Sequence, residues 1–140
     1  MKLKFVAISC MILLSAGGFL WLKAEHRPTN AIAQAETFVF LLNADKLSEA
    51  YDLTLQNELT GKTLAAFEEV AKRQFCSLDK TTTTFPFQSN GNRLRRWYQG
   101  RALEPAEVTV EFTGSCLFGV TLHSNSSGKW KVYFFQSHAG

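Results

Sequence analysis

The chain has 140 residues, of which 46% are hydrophobic and 19% are charged, and it carries a formal net charge of +3. This apolar content excludes an intrinsically disordered chain, and three prolines with nine scattered glycines exclude a collagen-like or low-complexity chain. The length is that of one folded domain, and the sequence contains no metal-ligand spacing, phosphate-binding glycine loop or complete catalytic motif, so neither a cofactor nor a metal is expected.

The first predicted element is an apolar segment near the N-terminus. Residues 5–22 contain no charged side chain, and basic residues flank them on both sides. Eighteen helical residues just reach across a hydrocarbon layer of about 30 Å, so the segment is either an uncleaved membrane anchor or a signal peptide. The anchor is favoured, because the apolar run continues through residues 19–22 after the weak cleavage site at residues 15–17.

This segment sets the expected domain organisation and location. Residues 1–27 form the anchor with its basic flanks, and residues 28–140 form one exported domain. The sequence therefore predicts a single-pass protein of the inner (cytoplasmic) membrane whose C-terminal domain lies in the periplasm or outside the cell.

The three cysteines are compatible with that location. Cys10 lies in the apolar segment, which leaves Cys76 and Cys116 as a pair that an oxidising compartment would allow to form a disulfide. Their spacing suits neither zinc nor a redox Cys-x-x-C motif. The alternative is two separate buried thiols that act as small hydrophobic side chains.

Three amphipathic helices are predicted after Pro28. The first has apolar residues at helical spacing from Ile32 to Leu42, the second is capped by Asp45, and the third begins near Thr63. The apolar side chains of the third helix recur every three or four residues, which is typical of a helix with one buried face.

The second half of the chain changes to a period of two. The segment 81–85 is rich in β-branched residues, and Pro86 marks an edge or a bend. Asn90-Gly91 predicts a hairpin turn that leads into a strand over residues 93–98. Alternating segments at 107–112, 116–122 and 130–134 follow, with turns at 114–115 and 125–128. The sequence thus predicts an α+β fold with its helices on one side of a curved antiparallel sheet.

The order of these elements resembles a known superfamily. A helix over residues 35–42 is followed by Ala50-Tyr51-Asp52-Leu53-Thr54, and the chain closes on Gly128-Lys129-Trp130-Lys131-Val132. Both segments are similar to those of nuclear transport factor 2-like (cystatin-like) domains, and the resemblance covers residues 28–136. It implies a cone in which a bent sheet wraps around helices, sometimes with an apolar pocket inside. Some members of the superfamily are isomerases or dehydratases, some bind small ligands, and many are dimerisation or assembly modules.

An isomerase-like reaction would need a carboxylate base and a hydroxyl donor. The candidates are Asp52 beside Tyr51, with Tyr98 or Tyr133 as the donor. No motif connects them, and the simpler interpretation is that Tyr51 belongs to the core while Asp52 is solvated. Two histidines, His123 and His138, have no obvious partner in the sequence and are interpreted as surface residues.

The most distinctive candidate binding segment is basic and aromatic. It contains no acidic residue and comprises Arg93, Arg95, Arg96, Trp97, Tyr98 and Arg101. Such a segment could bind phosphate, anionic lipid headgroups or an acidic partner, and its aromatic rings could stack on single-stranded bases. The exported location argues against nucleic acid. The alternative is a solvated sheet face with one buried tryptophan.

Together these observations predict a membrane-anchored, exported binding or assembly domain without catalysis of its own, an accessory of a cell-envelope or secretion complex. Its expected partners are the membrane, through residues 5–22, and a protein partner or a second copy of the chain. The alternative is a carrier of a small apolar ligand or an isomerase-like pocket enzyme of the same fold. A third hypothesis is a membrane-surface or nucleic-acid binder that acts through the arginines.

Overall fold

The computed structural model describes residues 2–78, 80–84 and 88–138, with side chains over 10–78 and 88–138. Within them the elements in chain order are α1 (Lys2–Lys23), β1 (Glu25–His26), α2 (Thr29–Asn43), α3 (Leu47–Asp52), α4 (Leu64–Gln74), β2 (Lys80–Thr84), β3 (Gln88–Ser89), α5 (Asn90–Tyr98), β4 (Glu107–Thr113), β5 (Leu117–Ser124) and β6 (Trp130–His138). The predicted bend at Pro86 and the end of its strand at Phe85 lie outside the described residues. The predicted α+β class is confirmed.

The chain forms two compact units. Unit 1 comprises Met1–Arg27 and Phe87–Glu104, and unit 2 comprises Pro28–Pro86 and Pro105–Gly140. The second segment of unit 1 is therefore an insertion in the sequence of unit 2.

Unit 2 is built on a four-stranded antiparallel sheet with the strand order β2-β4-β5-β6. The predicted alternation along β4 sets its inward face, because Val108, Val110 and Phe112 are buried while the residues between them are more exposed. Val110 pairs with Val120 of β5, which continues the same apolar face. A register shift between Thr121 and Leu122 marks a β-bulge in the pairing with β6.

Helices α2, α3 and α4 contribute the other half of this core. Ala31 and Ala35 are fully buried small residues, so the backbone of α2 comes close to its neighbours. Phe38, Phe67 and Phe135 are also fully buried, and the centroids of their rings lie 5.2–6.3 Å apart. Unit 2 thus has one aromatic core between its helices and its sheet.

Local hydrogen bonds define the helix ends in unit 2. Thr63 is the N-cap of α4, as predicted, and its hydroxyl accepts a hydrogen bond of 3.2 Å from the amide of Ala66. Asp45 is not the N-cap of α3 that the sequence predicts; that position is taken by Lys46. Asp45 lies in the left-handed region with φ 55°, next to the Lys46 amide that donates to the Leu41 carbonyl. Asp45 therefore ends α2, since this hydrogen bond satisfies one of the last helical carbonyls.

Cys76 and Cys116 form a disulfide between Cα atoms 6.2 Å apart, as predicted from the cysteine count. The bond joins the chain after α4 to the turn between β4 and β5. Ser115 strengthens the same connection, because its amide and hydroxyl both donate to the Ser77 carbonyl, at 3.0 and 2.6 Å. The disulfide closes a sequence separation of 40 residues within unit 2.

Unit 1 contains α1, α5 and the two-stranded ladder β1-β3. The ladder pairs Glu25 with Ser89 and His26 with Gln88. The first residue of α5 is attached to the end of α1, since the amide of Asn90 donates to the Ala24 carbonyl at 3.0 Å.

The predicted hairpin at Asn90-Gly91 is wrong, because these residues begin helix α5. Ser89 is its N-cap, and its hydroxyl accepts a hydrogen bond of 3.2 Å from the amide of Asn92. Gly91 fits the position for a separate reason. A Cβ atom there would lie 3.1 Å from the Leu22 carbonyl oxygen, so glycine permits the close approach of α1. The cap outweighs the turn preference of the Asn-Gly pair.

The prediction of a single-pass membrane protein is contradicted. In the part of the chain that the structure describes, no helix meets the length and apolar content that a membrane span requires.

Candidate functional site

The candidate catalytic pair on α3 has structural contacts. The Tyr51 hydroxyl donates a hydrogen bond of 2.8 Å to the Lys62 carbonyl, and its ring lies 5.5 Å from that of Phe67. The Asp52 side chain is exposed, and its backbone carbonyl accepts a hydrogen bond from Lys131 Nζ. The hydroxyl of Tyr51 is thus held by the backbone, and among the described residues no contact joins it to the Asp52 carboxylate.

The two candidate hydroxyl donors lie in different environments. Tyr98 belongs to unit 1, and 87% of it is exposed. Tyr133 belongs to unit 2, where its ring stacks on His123 with centroids 3.9 Å apart and planes 7° from parallel. Neither tyrosine is brought to Asp52 by a described contact.

Both histidines have partners that the sequence analysis missed. His123 Nε2 lies 2.7 Å from Glu107 Oε2, since Glu107 and His123 are register partners on β4 and β5. His138 Nε2 lies 2.9 Å from the side-chain nitrogen of Gln136. The contact of His123 with Glu107 could be predicted only from the pairing register of β4 and β5, because 16 residues separate the two side chains in the sequence.

Helix α5 holds the arginines and aromatics of the predicted binding segment, and two arginines point toward the rest of unit 1. Arg93 Nη2 lies 2.6 Å from Glu104 Oε1, and Arg96 Nε donates to the Ala102 carbonyl at 3.1 Å. The same Glu104 oxygen lies 2.9 Å from His26 Nε2 on β1. Glu104 therefore joins α5 to the β1-β3 ladder, a role that sequence spacing gave no means to foresee.

Another part of the surface of α5 is exposed and partly apolar. We call it the α5 face; it consists of Leu94, Arg95, Trp97, Tyr98 and the following Arg101. Trp97 is 62% exposed, Tyr98 is 87% exposed and Leu94 is 44% exposed. The alternative prediction of a buried tryptophan is wrong, because Trp97 is mostly exposed. Trp97 and Tyr98 lie three and four residues after Leu94, so helical spacing places the three side chains next to each other on the surface of α5.

The charge of the α5 face is unbalanced. No contact with an acidic side chain is found for Arg95 or Arg101 in the described part of the chain. The two exposed guanidinium groups flank the aromatic side chains, so the face combines a positive charge with apolar area.

A lowered pKa is found away from the α5 face, at the exposed ion pair of Glu58 and Lys62. Lys62 Nζ donates to the Glu58 carboxylate, and this hydrogen bond with the nearby positive charge lowers the pKa of Glu58. Glu58 and Lys62 are four residues apart in the exposed segment between α3 and α4 of unit 2. Their ion pair is a local contact, and it marks no cleft of the kind that active sites use.

The described residues contain no group of three or more His, Cys, Asp or Glu side chains that could hold a metal ion. No protein-family model matches the chain, and neither the search of curated proteins nor the search of solved structures finds a match.

Proposed function

We propose that this protein is a binding or assembly domain without catalysis of its own, which recruits a protein partner through the α5 face. The observation that carries the proposal is the exposure of Trp97 and Tyr98 on a helix whose neighbouring arginines, Arg93 and Arg96, are turned inward. A folded chain that displays two large aromatic side chains next to each other has a surface that favours association.

The composition of the α5 face supports a protein partner. Tryptophan, tyrosine and arginine are the residues in which the binding energy of protein interfaces concentrates. Trp97 and Tyr98 supply rigid apolar area, and Arg95 and Arg101 supply donors for carboxylates. The partner expected from this chemistry is a protein with an apolar pocket bordered by Asp or Glu.

The filled core of unit 2 supports binding over pocket chemistry. Phe38, Phe67, Phe118 and Phe135 occupy the space between the helices and the sheet, with neighbouring ring centroids about 5–6 Å apart. Side chains in close ring contact leave little room for a small apolar ligand.

For unit 2 we also propose the cone of nuclear transport factor 2-like domains. The helices precede the sheet, they share its core, and the bulge between Thr121 and Leu122 is a device that bends a sheet. An experimental structure tests this: a sheet curved around α2–α4 is expected, and a flat sheet would contradict the cone.

Site-specific photo-crosslinking tests the binding proposal. A photoreactive phenylalanine analogue replaces Tyr98 in the full chain, expressed in its own cells, and adducts are identified by mass spectrometry. We expect a discrete protein adduct at this position, because the side chain would lie in the interface. The adduct should fall at least several-fold when Arg95→Gln and Arg101→Gln are added.

The matched control places the same analogue at Leu59, which is 43% exposed on unit 2. A discrete adduct at position 98 and none at position 59 would support the proposal. Equal adduct patterns at the two positions, or adducts at position 98 that contain no protein, would overturn it.

A further inference from the structure

Helix α1 of unit 1 is exposed on all of its sides. The side chains of α1 are described over residues 10–23, and every one of these residues is exposed. Residues 11–14 are Met, Ile, Leu and Leu, and each is 63–76% exposed. Consecutive residues of a helix are turned by about 100° from one another, so these four apolar side chains point in four directions. The apolar surface of α1 therefore surrounds the helix.

An apolar surface that surrounds a helix matches lipid better than a protein groove. A groove covers one face of a bound helix, and the opposite face of such a helix is polar and stays in water. Residues 10–22 contain no charged side chain, so α1 has no such polar face in this range. Acyl chains, in contrast, contact an inserted helix from every side.

Helix α1 is joined to α5 at its C-terminal end. Asn90 Nδ2 donates a hydrogen bond of 3.1 Å to the Trp21 carbonyl, and the Asn90 amide donates to the Ala24 carbonyl. Gly91 permits the close approach of the Leu22 carbonyl in the same turn. These contacts attach α1 to unit 1 and leave the side chains of residues 10–20 exposed.

The hydroxyl group within this apolar stretch has a partner in the helix itself. Ser15 is the only hydroxyl-bearing residue in residues 10–22, and its Oγ donates a hydrogen bond of 2.8 Å to the Met11 carbonyl. A hydroxyl group that lacks a partner is costly to transfer out of water, whereas one that is bonded to its own helix is not. Ser15 is therefore compatible with an acyl-chain environment.

The last turn of α1 has the composition of a lipid–water boundary. Trp21 is 55% exposed, and a tryptophan side chain combines an apolar ring with an N–H donor, which favours the headgroup level. Lys23 follows two residues later, with its Nζ 4.7 Å from the centroid of the Phe19 ring. This contact holds a positive charge at the end of the apolar stretch.

The charge of unit 1 favours an anionic lipid surface. The sequence of unit 1 contains eight Lys and Arg residues and two Glu residues, a formal charge of +6. Unit 2 contains seven Lys and Arg residues and ten Asp and Glu residues, a formal charge of −3. Attraction between basic side chains and anionic headgroups adds to the burial of apolar side chains when a helix binds lipid. The apolar helix thus belongs to the unit that an anionic surface attracts.

From these observations we propose that unit 1 binds the surface of an anionic lipid layer. The apolar side chains of residues 10–20 lie among the acyl chains, Trp21 lies at the boundary with the headgroups, and Lys23 contacts the headgroup phosphates. Such binding buries apolar side chains on the lipid side and requires no helix that spans the layer. The proposal concerns α1 and is separate from the protein partner proposed for the α5 face.

Cys10 provides a specific probe of this arrangement. Its thiol is free and exposed while Cys76 and Cys116 are bonded to each other, so a thiol-reactive nitrobenzoxadiazole fluorophore attaches to position 10 alone. The labelled full chain is mixed with vesicles of equal parts phosphatidylcholine and phosphatidylglycerol, or of phosphatidylcholine alone. We expect emission to rise with the anionic vesicles and to be quenched when their acyl chains carry a spin label. The response to phosphatidylcholine alone should be at least several-fold weaker.

Two double variants test the contribution of α1, with flotation of the unlabelled chain on anionic vesicles as the measurement. Leu13→Gln with Leu14→Gln should lower the partition coefficient at least about ten-fold, because two apolar side chains no longer enter the lipid. The matched control is Phe40→Gln with Leu59→Gln, which removes two exposed apolar side chains from unit 2. The control should float as the natural chain does, and circular dichroism checks that both variants are folded.

Four results would overturn the proposal. The first is a natural chain that does not float with the anionic vesicles. The second is flotation without quenching by the acyl-chain spin label, which would show attachment by charge alone. The third is an equal loss of flotation in the two double variants. The fourth is a natural chain that forms oligomers in solution and leaves the vesicles unbound, which would show that a second copy covers α1.

Discussion

The two units place their aromatic side chains in opposite environments. In unit 2, Phe38, Phe67 and Phe135 have no exposed surface, whereas in unit 1 Trp97 is 62% and Tyr98 is 87% exposed. Burial of a large aromatic side chain stabilises the unit that contains it, and exposure leaves the same apolar area available to another molecule. The comparison therefore separates residues that maintain the fold from residues that are free to bind.

The largest expected effect is on the free energy of unfolding. Phe67→Ala should lower it by about 3–5 kcal/mol, because the change removes a fully buried ring and leaves a cavity. Tyr98→Ala should change it by no more than about 0.5 kcal/mol, since the side chain is mostly exposed. Urea unfolding followed by circular dichroism measures both, and similar losses in the two variants would contradict the comparison.

The disulfide of unit 2 should have an effect of comparable size. Replacing Cys76 and Cys116 together by serine should lower the free energy of unfolding by about 4 kcal/mol in the chain-entropy model, given the separation of 40 residues. Cys10→Ser is the control and should leave stability unchanged. Alkylation without reductant should label Cys10 alone, and labelling of the other two cysteines in the natural chain would argue against the bond.

Removing a helix cap should have a smaller effect on stability, and its extent should differ between the two units. Ser89 caps α5 and Thr63 caps α4 with hydrogen bonds of the same length, 3.2 Å, so each change to alanine should cost about 1 kcal/mol. Helix α4 contributes buried Phe67 to the core, whereas α5 has no buried residue. Hydrogen exchange should therefore show a loss throughout unit 2 for Thr63→Ala and a loss confined to α5 for Ser89→Ala. A global effect of Ser89→Ala would contradict the account.

The smallest effect concerns the surface pair of unit 2. Lys62→Gln should raise the pKa of Glu58 toward its ordinary value, because the hydrogen bond and the charge that lower it are removed. A lowered pKa gives a contribution to stability that is present above the ordinary pKa and is lost as the pH falls through the lowered value. Carbon-13 titration of the Glu58 carboxyl measures the change, with Lys46→Gln as control. An unchanged pKa in Lys62→Gln would rule out this cause.

Elements with a strong and regular apolar pattern were predictable from the sequence. The alternation of Val108, Val110 and Phe112 identified β4 and its buried face, and the helical spacing after Thr63 identified α4. These patterns are local, and the packing of unit 2 uses them directly. The class of the fold followed from their order along the chain.

The elements of unit 1 were harder to predict. Asn90-Gly91 is typical of a hairpin, and only the Ser89 cap and the approach to the Leu22 carbonyl make it the start of a helix. The prediction of a strand in place of helix α5 also led to the interpretation of Trp97 as buried, because side chains alternate along a strand and follow a different spacing on a helix. Arg95, Trp97, Tyr98 and Arg101 were singled out by the sequence. The inward contacts of Arg93 and Arg96, with Glu104 and the Ala102 carbonyl, depend on the tertiary structure.

Native mass spectrometry of the full chain, isolated from its own cells, tests the central claim most directly. The natural chain is compared with a variant that carries both Trp97→Ala and Tyr98→Ala, and circular dichroism confirms that the two are equally folded. We expect the natural chain in a complex with additional protein mass, and the variant as the bare chain of 15.7 kDa. Identical spectra for the two proteins would contradict the claim that the α5 face holds a partner.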